Sequence, residues 1–436
     1  MAGKRKAETE DGLYLDTVNR RKLDFDFEKL CSVTLSNVNV YGCLVCGEYF
    51  QGRGKSSPAY YHSLNDDHHL FINFNNLNVY VLPEGQQVQS HLLDDIKYAV
   101  NPSYTKPELV QLGTQPVRDI SGNEYLPGII GLNNIKHNEY SNVVLQAVCH
   151  CSIVRNWFLL LDDVNNYNEL VKRFTTFIKK LWSPKLFKHH ISPHELLQHI
   201  SVISDKQFTI NEPKNPRDFI VWLLNNLHKS LAIVAGEKRK STVISHSFQG
   251  KLRVTTDDGN SSSVTNTKFW ILTLDLPPVS ILQDGIGVQE IPQIRLEKLL
   301  DKYTGKTQTV TSSGTKTYEI IKYPPYLLLH INRFHDSELG IDLKLKDRYQ
   351  TLVEFPLEMT LNEGKAKYKL LCNVVHDVVT TKNSMDEANE ERSDWKVQMR
   401  NSDDEWFEVK DLEVTPKEKE LLFLGESYIQ VWELKQ

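Results

Sequence analysis

Cys43 and Cys46 form a Cys-x-x-Cys knuckle in "CLVC", and His62, His68 and His69 follow in the next stretch of chain. Tetrahedral zinc takes thiolate and imidazole ligands, and two of each complete a structural site. Fifteen residues between Cys46 and His62 leave room for a strand and a helix to fold back. Cys43, Cys46, His62 and His68 are the predicted ligands, with His69 the alternative to His68. Five residues separate His62 from His68, too many for one helical face, so His68 falls just past a helix end. Cys31 reads as a buried hydrophobe. Three other features tempt with chemistry and do not supply it. Cys149 and Cys151 share a predicted helix and read as core or flank residues. "HELLQH" (194–199) has its histidines five apart rather than the four that a metalloprotease helix needs, and reads as a helix beginning after Ser192-Pro193. His376, in "VVHD", follows a strand and reads as structural.

The elements that must position these residues divide the chain. At 436 residues it is too long for one compact core. With 40% hydrophobic and 25% charged residues and a formal net charge of −5, its bulk is that of a soluble globular protein with no nucleic-acid-coating surface. No apolar run approaches the roughly 20 residues of a membrane span, and the charged N-terminus predicts no secretory signal. Six cysteines in so long a chain fit metal binding or burial better than a disulfide framework. Residues 1–26 read as a polar, flexible tail with short basic clusters of the kind that can direct nuclear import. Residues 27–100 form a small domain, 101–122 a proline-containing linker, and 123–436 a large domain. The large domain begins with helices: Tyr140, Val144, Ala147, Val148 and Cys151 make an apolar stripe. After about residue 242 it turns to strands, which predicts an α+β fold. The charged segment 380–394, between two strands, reads as a mobile loop.

Two resemblances are carried by these motifs. "YGCLVCGEYFQGRG…AYYHS…DHHLFINF…YVLPE" resembles the ubiquitin-hydrolase-type zinc finger, a small α/β domain. Larger members hold further zincs; Leu13 and Val81 stand where their cysteines would be, so the resemblance implies one zinc ion. Arg53 matches the arginine with which ubiquitin-binding members hold a glycine tail, but the rest of that pocket has no counterpart, so ubiquitin binding is not carried over. "GLNNIKHNEYSNVVLQ" (131–146) resembles the Cys-box of ubiquitin-specific proteases. Gly131, Leu132, Asn134, Tyr140, Asn142, Leu145 and Gln146 are in register, while Lys136, His137 and Asn138 replace Gly-Asn-Thr. Together with "FWILTLDLP" and "YPPYLLLHINRF", it implies a papain-like fold of thumb, palm and fingers over about residues 127–434. The fingers lack the two Cys-x-x-Cys pairs that hold a second zinc in many members, so none is expected there.

Carried over position by position, that resemblance puts Glu139 where the nucleophilic cysteine belongs, Asp394 where the histidine belongs and Lys410 where the Asn or Asp belongs, with Asp411 adjacent. Only Asn134, the oxyanion position, is kept. A carboxylate suits a helix N-terminus as a thiolate does, but its attack on an amide gives an anhydride with a poor amine leaving group. No catalytic residue is therefore assigned. Cys149 and Cys151 lie about 15 Å or more along the helix from Glu139, out of reach of the same cleft. A one-zinc finger joined to a ubiquitin-protease fold with an acidic nucleophile position is similar to the SAD family, the tri-snRNP-associated, protease-like proteins of pre-mRNA splicing. This resemblance implies a nuclear, non-catalytic factor that supports the spliceosomal tri-snRNP through contacts with snRNP proteins. A ubiquitin-binding adaptor and a deubiquitinase with an unrecognised nucleophile are the rival readings.

Overall fold

A computed structural model describes residues 14–234, 237–238, 241–259, 261–277, 292–311, 314–334, 348–382 and 389–435. Contacts divide the chain into two compact units, Met1–Ile130 with Thr176–Gln198, and Gly131–Thr175 with His199–Gln436.

The first unit holds Val40–Cys43 (β1), Tyr49–Gln51 (β2), Pro58–Asn65 (α1), Leu70–Asn73 (β3), Val79–Val81 (β4), Gln86–Val88 (β5) and Asp94–Val100 (α2). The strands make an antiparallel sheet in the order β2-β1-β3-β4-β5. Alternation along β3 explains why a run as apolar as Leu-Phe-Ile can be a strand: Leu70 and Ile72 enter one core with Ile96 and Val100 of α2, and Phe71 enters another with Ala59 of α1. Both faces of the sheet are thereby covered. The Ser57 hydroxyl caps α1 by accepting from the Tyr60 N–H at 3.4 Å, and Pro58 occupies the first turn, where no donor is needed.

The expected N-terminal tail, 1–26, is corrected by this packing for residues 14–26. It is described only from Tyr14 onward, and Leu23 and Phe25 are buried in the core with α2. Two apolar residues at alternate positions in a polar stretch are the local cause: they add to the sheet's core while Asp24 and Asp26 face Lys188 (2.8 Å) and Lys180 (2.9 Å). The expected linker, 101–122, is likewise not bare connector. Lys106–Gln111 (α3) is closed by a Thr105–Glu108 capping box, and Tyr104 is buried with its hydroxyl donating to the Lys179 carbonyl at 2.5 Å.

The second unit opens with helices Glu139–His150 (α4), Ser152–Leu159 (α5) and Pro216–Ala232 (α6), and continues mainly as strands: Gly250–Asp257 (β6), Ser262–Phe269 (β7), Ile271–Asp275 (β8), the short helix Leu296–Leu300 (α7), Thr304–Thr311 (β9), Gly314–Lys322 (β10), Tyr326–Asn332 (β11), Glu358–Leu361 (β12), Ala366–Lys382 (β13), Asn389–Arg400 (β14), Trp406–Lys410 (β15), Glu413–Lys417 (β16) and Glu426–Leu434 (β17). β7-β6-β10-β9 form a four-stranded sheet, and β8-β11-β17-β13-β14-β15-β16, with β12 on β13, an eight-stranded one. The order of helices before strands is the α+β pattern expected. Leu327, Leu329 and Ile331 of β11 pack with Leu272, Leu274, Leu370 and Trp432 in one core of the large sheet.

Two expectations are corrected here. α4 is not striped: every residue from Glu139 to His150 is buried, polar ones included, because β13, β14 and α6 all pack on it. Its apolar stripe also stops early, since Cys151 is extended and divides α4 from α5. The segment 380–394, expected as a loop, is largely strand, with pairing from Asp377↔Asp394 out to Lys382↔Asn389. β-hairpin pairing overrides its charged composition, and only residues 383–388 of it lie outside the described residues.

Candidate functional site

In the first unit the turn after β1 carries Cys43 and Cys46, α1 carries His62, and the segment leading into β3 carries His68. The chain thereby brings together one ligand atom from each, all within 4.8 Å of one another. The Cys46 Sγ lies 3.4 Å from His62 Nε2, and His62 Nε2 lies 3.0 Å from His68 Nδ1. These atoms are aimed by their surroundings. Asp66 Oδ2, one turn along α1, sits 2.8 Å from His62 Nδ1 and leaves Nε2 to face the sulfurs. The Phe50 ring stacks on His62 with centroids 4.1 Å apart. Hydrogen bonding with Cys43 lowers the Cys46 thiol, and the same bond, with burial, pushes the Cys43 thiol up. An S2N2 set with one thiol poised to ionise, and a carboxylate behind one imidazole, fits a tetrahedral thiophilic cation.

His69 belongs to a different arrangement. Its Nδ1 is 2.7 Å from the Leu82 carbonyl and its Nε2 is 2.9 Å from Asp67 Oδ1. Cys31 is buried, and its sulfur accepts from the Thr34 N–H at 3.4 Å. Arg53 lies over the Tyr80 ring, 4.4 Å from its centroid.

The second unit brings the four protease-like positions into one cleft, with polarity opposite to that of a thiol peptidase. The loop before α4 is built by asparagines. Asn138, fully buried, donates to the Asn133 carbonyl at 3.0 Å and to Asn142 Oδ1 at 3.0 Å, and its own N–H donates to Asn134 Oδ1 at 3.2 Å. Gly131 enters this loop where a Cβ would lie 2.6 Å from the Leu412 backbone, so the β15–β16 turn can approach only a glycine. That turn supplies Asp411, whose carbonyl accepts from the Leu132 N–H at 2.8 Å.

Asn134 stands between two carboxylates. Its amide donates to Glu139 Oε2 at 3.1 Å and to Asp411 Oδ2 at 3.4 Å. The Asn134 amide hydrogens are thus engaged by two carboxylates, and an anion placed at this amide would stand beside two acids. Burial raises the Glu139 pKa, with the neighbouring Asp394 charge adding to it, and burial likewise raises that of Asp411.

Opposite, Asp394 on β14 is buried and paired with Lys410 of β15, Oδ2 to Nζ at 2.9 Å. Lys410 also reaches Asp377 at 3.5 Å. Burial lowers the Lys410 pKa, but the Asp394 and Asp377 carboxylates outweigh it and the net shift is upward, which keeps the ammonium charged. A charged lysine is no base, and the Asp394 carboxylate is engaged by that lysine and puts no imidazole-like group in the cleft.

The remaining sequence candidates are placed as follows. Cys149 and Cys151 are fully buried, with thiol pKa values raised by burial, so neither offers a thiolate. His376 is buried between Glu426 (2.8 Å) and Ser393 (3.0 Å). In the helix His194–Ile203, Glu195 pairs with Lys29 at 3.1 Å. Sequence reading gave no role to Asp411, Asp377 or Arg392, whose guanidinium lies 3.4 Å from His137 Nδ1. For Asp411 alone the signal existed, in its place beside Lys410.

Residues 130–432 match the ubiquitin carboxyl-terminal hydrolase family, and residues 31–93 match the zinc finger in ubiquitin-hydrolases and other proteins. The chain is 41% identical to the "Probable mRNA-splicing protein ubp10" of Schizosaccharomyces pombe, across 97% of this chain and 88% of that one. It is 38% identical to the pre-mRNA-splicing factor SAD1 of Saccharomyces cerevisiae, across 99% and 95%. Among solved structures, that of an essential yeast splicing factor superposes with a TM-score of 0.82 at 38% identity, covering 97% of this chain and all of that one. A SAGA DUB module bound to monoubiquitin superposes with a TM-score of 0.55 at 16% identity, covering 98% and 96%, a likeness of fold alone.

Proposed function

The chain belongs to the ubiquitin carboxyl-terminal hydrolase family, and from that premise we propose that it is a non-catalytic, nuclear pre-mRNA splicing factor which supports assembly or maintenance of the tri-snRNP through contacts with snRNP proteins. The likeness to SAD1 over nearly the whole of both chains supports the splicing role. One observation carries the loss of catalysis: Asn134 is held between Glu139 and Asp411 while Asp394 is neutralised by Lys410. Nucleophile, base and oxyanion donor are all replaced or occupied. Glu139, Asp394 and Lys410 are then the former triad positions, and Asn134 the former oxyanion position, kept as scaffold.

In this reading Cys43, Cys46, His62 and His68 hold one structural zinc ion. Bound there, zinc would tie the β1–β2 turn to α1 and to the start of β3, a cross-link for a small sheet. The finger domain takes in Leu23 and Phe25 as well as residues 27–100, and 123–436 is the protease-like domain.

Depleting the protein from a splicing-competent nuclear extract and adding back recombinant chain tests the function. Wild type and Glu139→Gln are expected to restore tri-snRNP levels and splicing equally. Failure of wild type would overturn the splicing role; failure of Glu139→Gln alone would return chemistry to the cleft.

A further inference from the structure

A cavity of about 650 Å³ opens in the second unit where α7 and the turn after it face β10 and β12. Part of its floor is apolar: Leu300, Ile320 and Met359 line it, each showing only a small face to the cavity, beside polar lining. Its rim is acidic. Glu297, Asp301, Glu319, Glu358 and Glu363 line it against a single cation, Lys306.

Three of these acids have partners that leave the cavity negative. Lys306 meets Glu363 at 3.9 Å, but both are 83% exposed, and so long and solvated a pair is weak. Glu319 pairs with Arg253 at 2.7 Å and Glu358 with Lys435 at 2.5 Å, both pairs at the surface. The Glu297 and Asp301 side chains enter no ion pair or side-chain hydrogen bond recorded among the described residues. Two uncompensated carboxylates thus stand beside an apolar floor.

That combination selects an occupant. An arginine or lysine lays its aliphatic stem on apolar surface and keeps its charged head at the edge, where a carboxylate can pair with it. A purely apolar ligand would leave the acids unused, and RNA phosphates would be repelled by them. We propose that this cavity docks a peptide segment of a partner protein in which a leucine-like side chain neighbours an arginine or lysine.

Fluorescence anisotropy on the purified full chain, at about 0.15 M salt, tests this with labelled eight-residue probes. The probes are alternating Leu-Arg, Ser-Arg and Leu-Glu peptides and octauridylate. Saturable binding is expected for Leu-Arg alone, weakened tenfold or more by Glu297→Lys with Asp301→Lys. A second variant, Thr360→Arg, places a cation at another rim position and is expected to weaken binding similarly, which keeps the test valid if the first pair lowers the melting temperature. Ser-Arg binding as tight as Leu-Arg, saturation by Leu-Glu or octauridylate, or Leu-Arg binding indifferent to these variants would each overturn the site. No splicing readout enters, so failure here would leave the splicing reading untouched.

Discussion

The two sites of this chain put packing and chemistry together in opposite ways. In the finger, four ligand atoms from three separate elements remain within 4.8 Å of one another, backed by a carboxylate on one imidazole. In the cleft, the proposed nucleophile, base and orienter positions are filled by Glu139, Asp394 and Lys410, which are held by an amide hydrogen bond and an ion pair. Packing and chemistry are therefore separable. A metal bound by such a set ties a small sheet together and adds to folding, whereas catalysis places no such demand on packing, and an ion pair such as Asp394–Lys410 can fill a cleft position without it.

If the finger depends on its metal and the cleft does not depend on chemistry, substitutions should divide accordingly. The largest effect is expected for Cys43→Ala: zinc by elemental analysis should fall from close to one per chain to none, and the finger should unfold, since the metal supplies on the order of 10 kcal/mol in such domains. Two or more zincs in the wild type would break the one-metal account. Next is Lys410→Ala, which strands the buried Asp394. Breaking a buried pair costs about 3–5 kcal/mol, less when one partner is solvated. Lys410 is about a third exposed, so a loss of roughly 2 kcal/mol in denaturant unfolding is expected, with Lys410→Arg recovering much of it.

Gly131→Ala should cost about 1–3 kcal/mol, because the added methyl meets the Leu412 backbone rather than a side chain that can swing away. The smallest effect concerns Glu139, and its sign depends on pH. Folding raises its pKa above the ordinary 4.5, so the folded state binds the proton more tightly and loses stability as pH rises through the raised value. Glu139→Gln should therefore raise the melting temperature at pH 7, with the gain gone below pH 4.5. A catalytic carboxylate would show the same melting shift, so activity must be measured beside it.

Much of the finger was legible because knuckle spacing and the position of His68 past the end of α1 are local features. The sequence favoured His68 over His69, and the reason that His69 stands apart lies in three dimensions, where the Leu82 carbonyl and Asp67 engage it. In the cleft, motif register pointed to Glu139, Asp394 and Lys410 but not to the contacts they make. The Asn134 amide spans Glu139 and Asp411, residues 272 positions apart in the chain, and no local pattern encodes such a contact. The misread tail and loop have the same origin: Leu23 and Phe25 gain a core from distant strands, and residues 389–394 become strand by pairing with β13. Composition registers solubility, whereas long-range pairing decides order.

Turnover of ubiquitin–aminomethylcoumarin by the full-length, zinc-loaded chain tests the central claim most directly. Release of the fluorophore at the buffer rate is expected from wild type, Glu139→Gln and Cys149→Ala alike. Turnover by wild type that either substitution abolishes would contradict it.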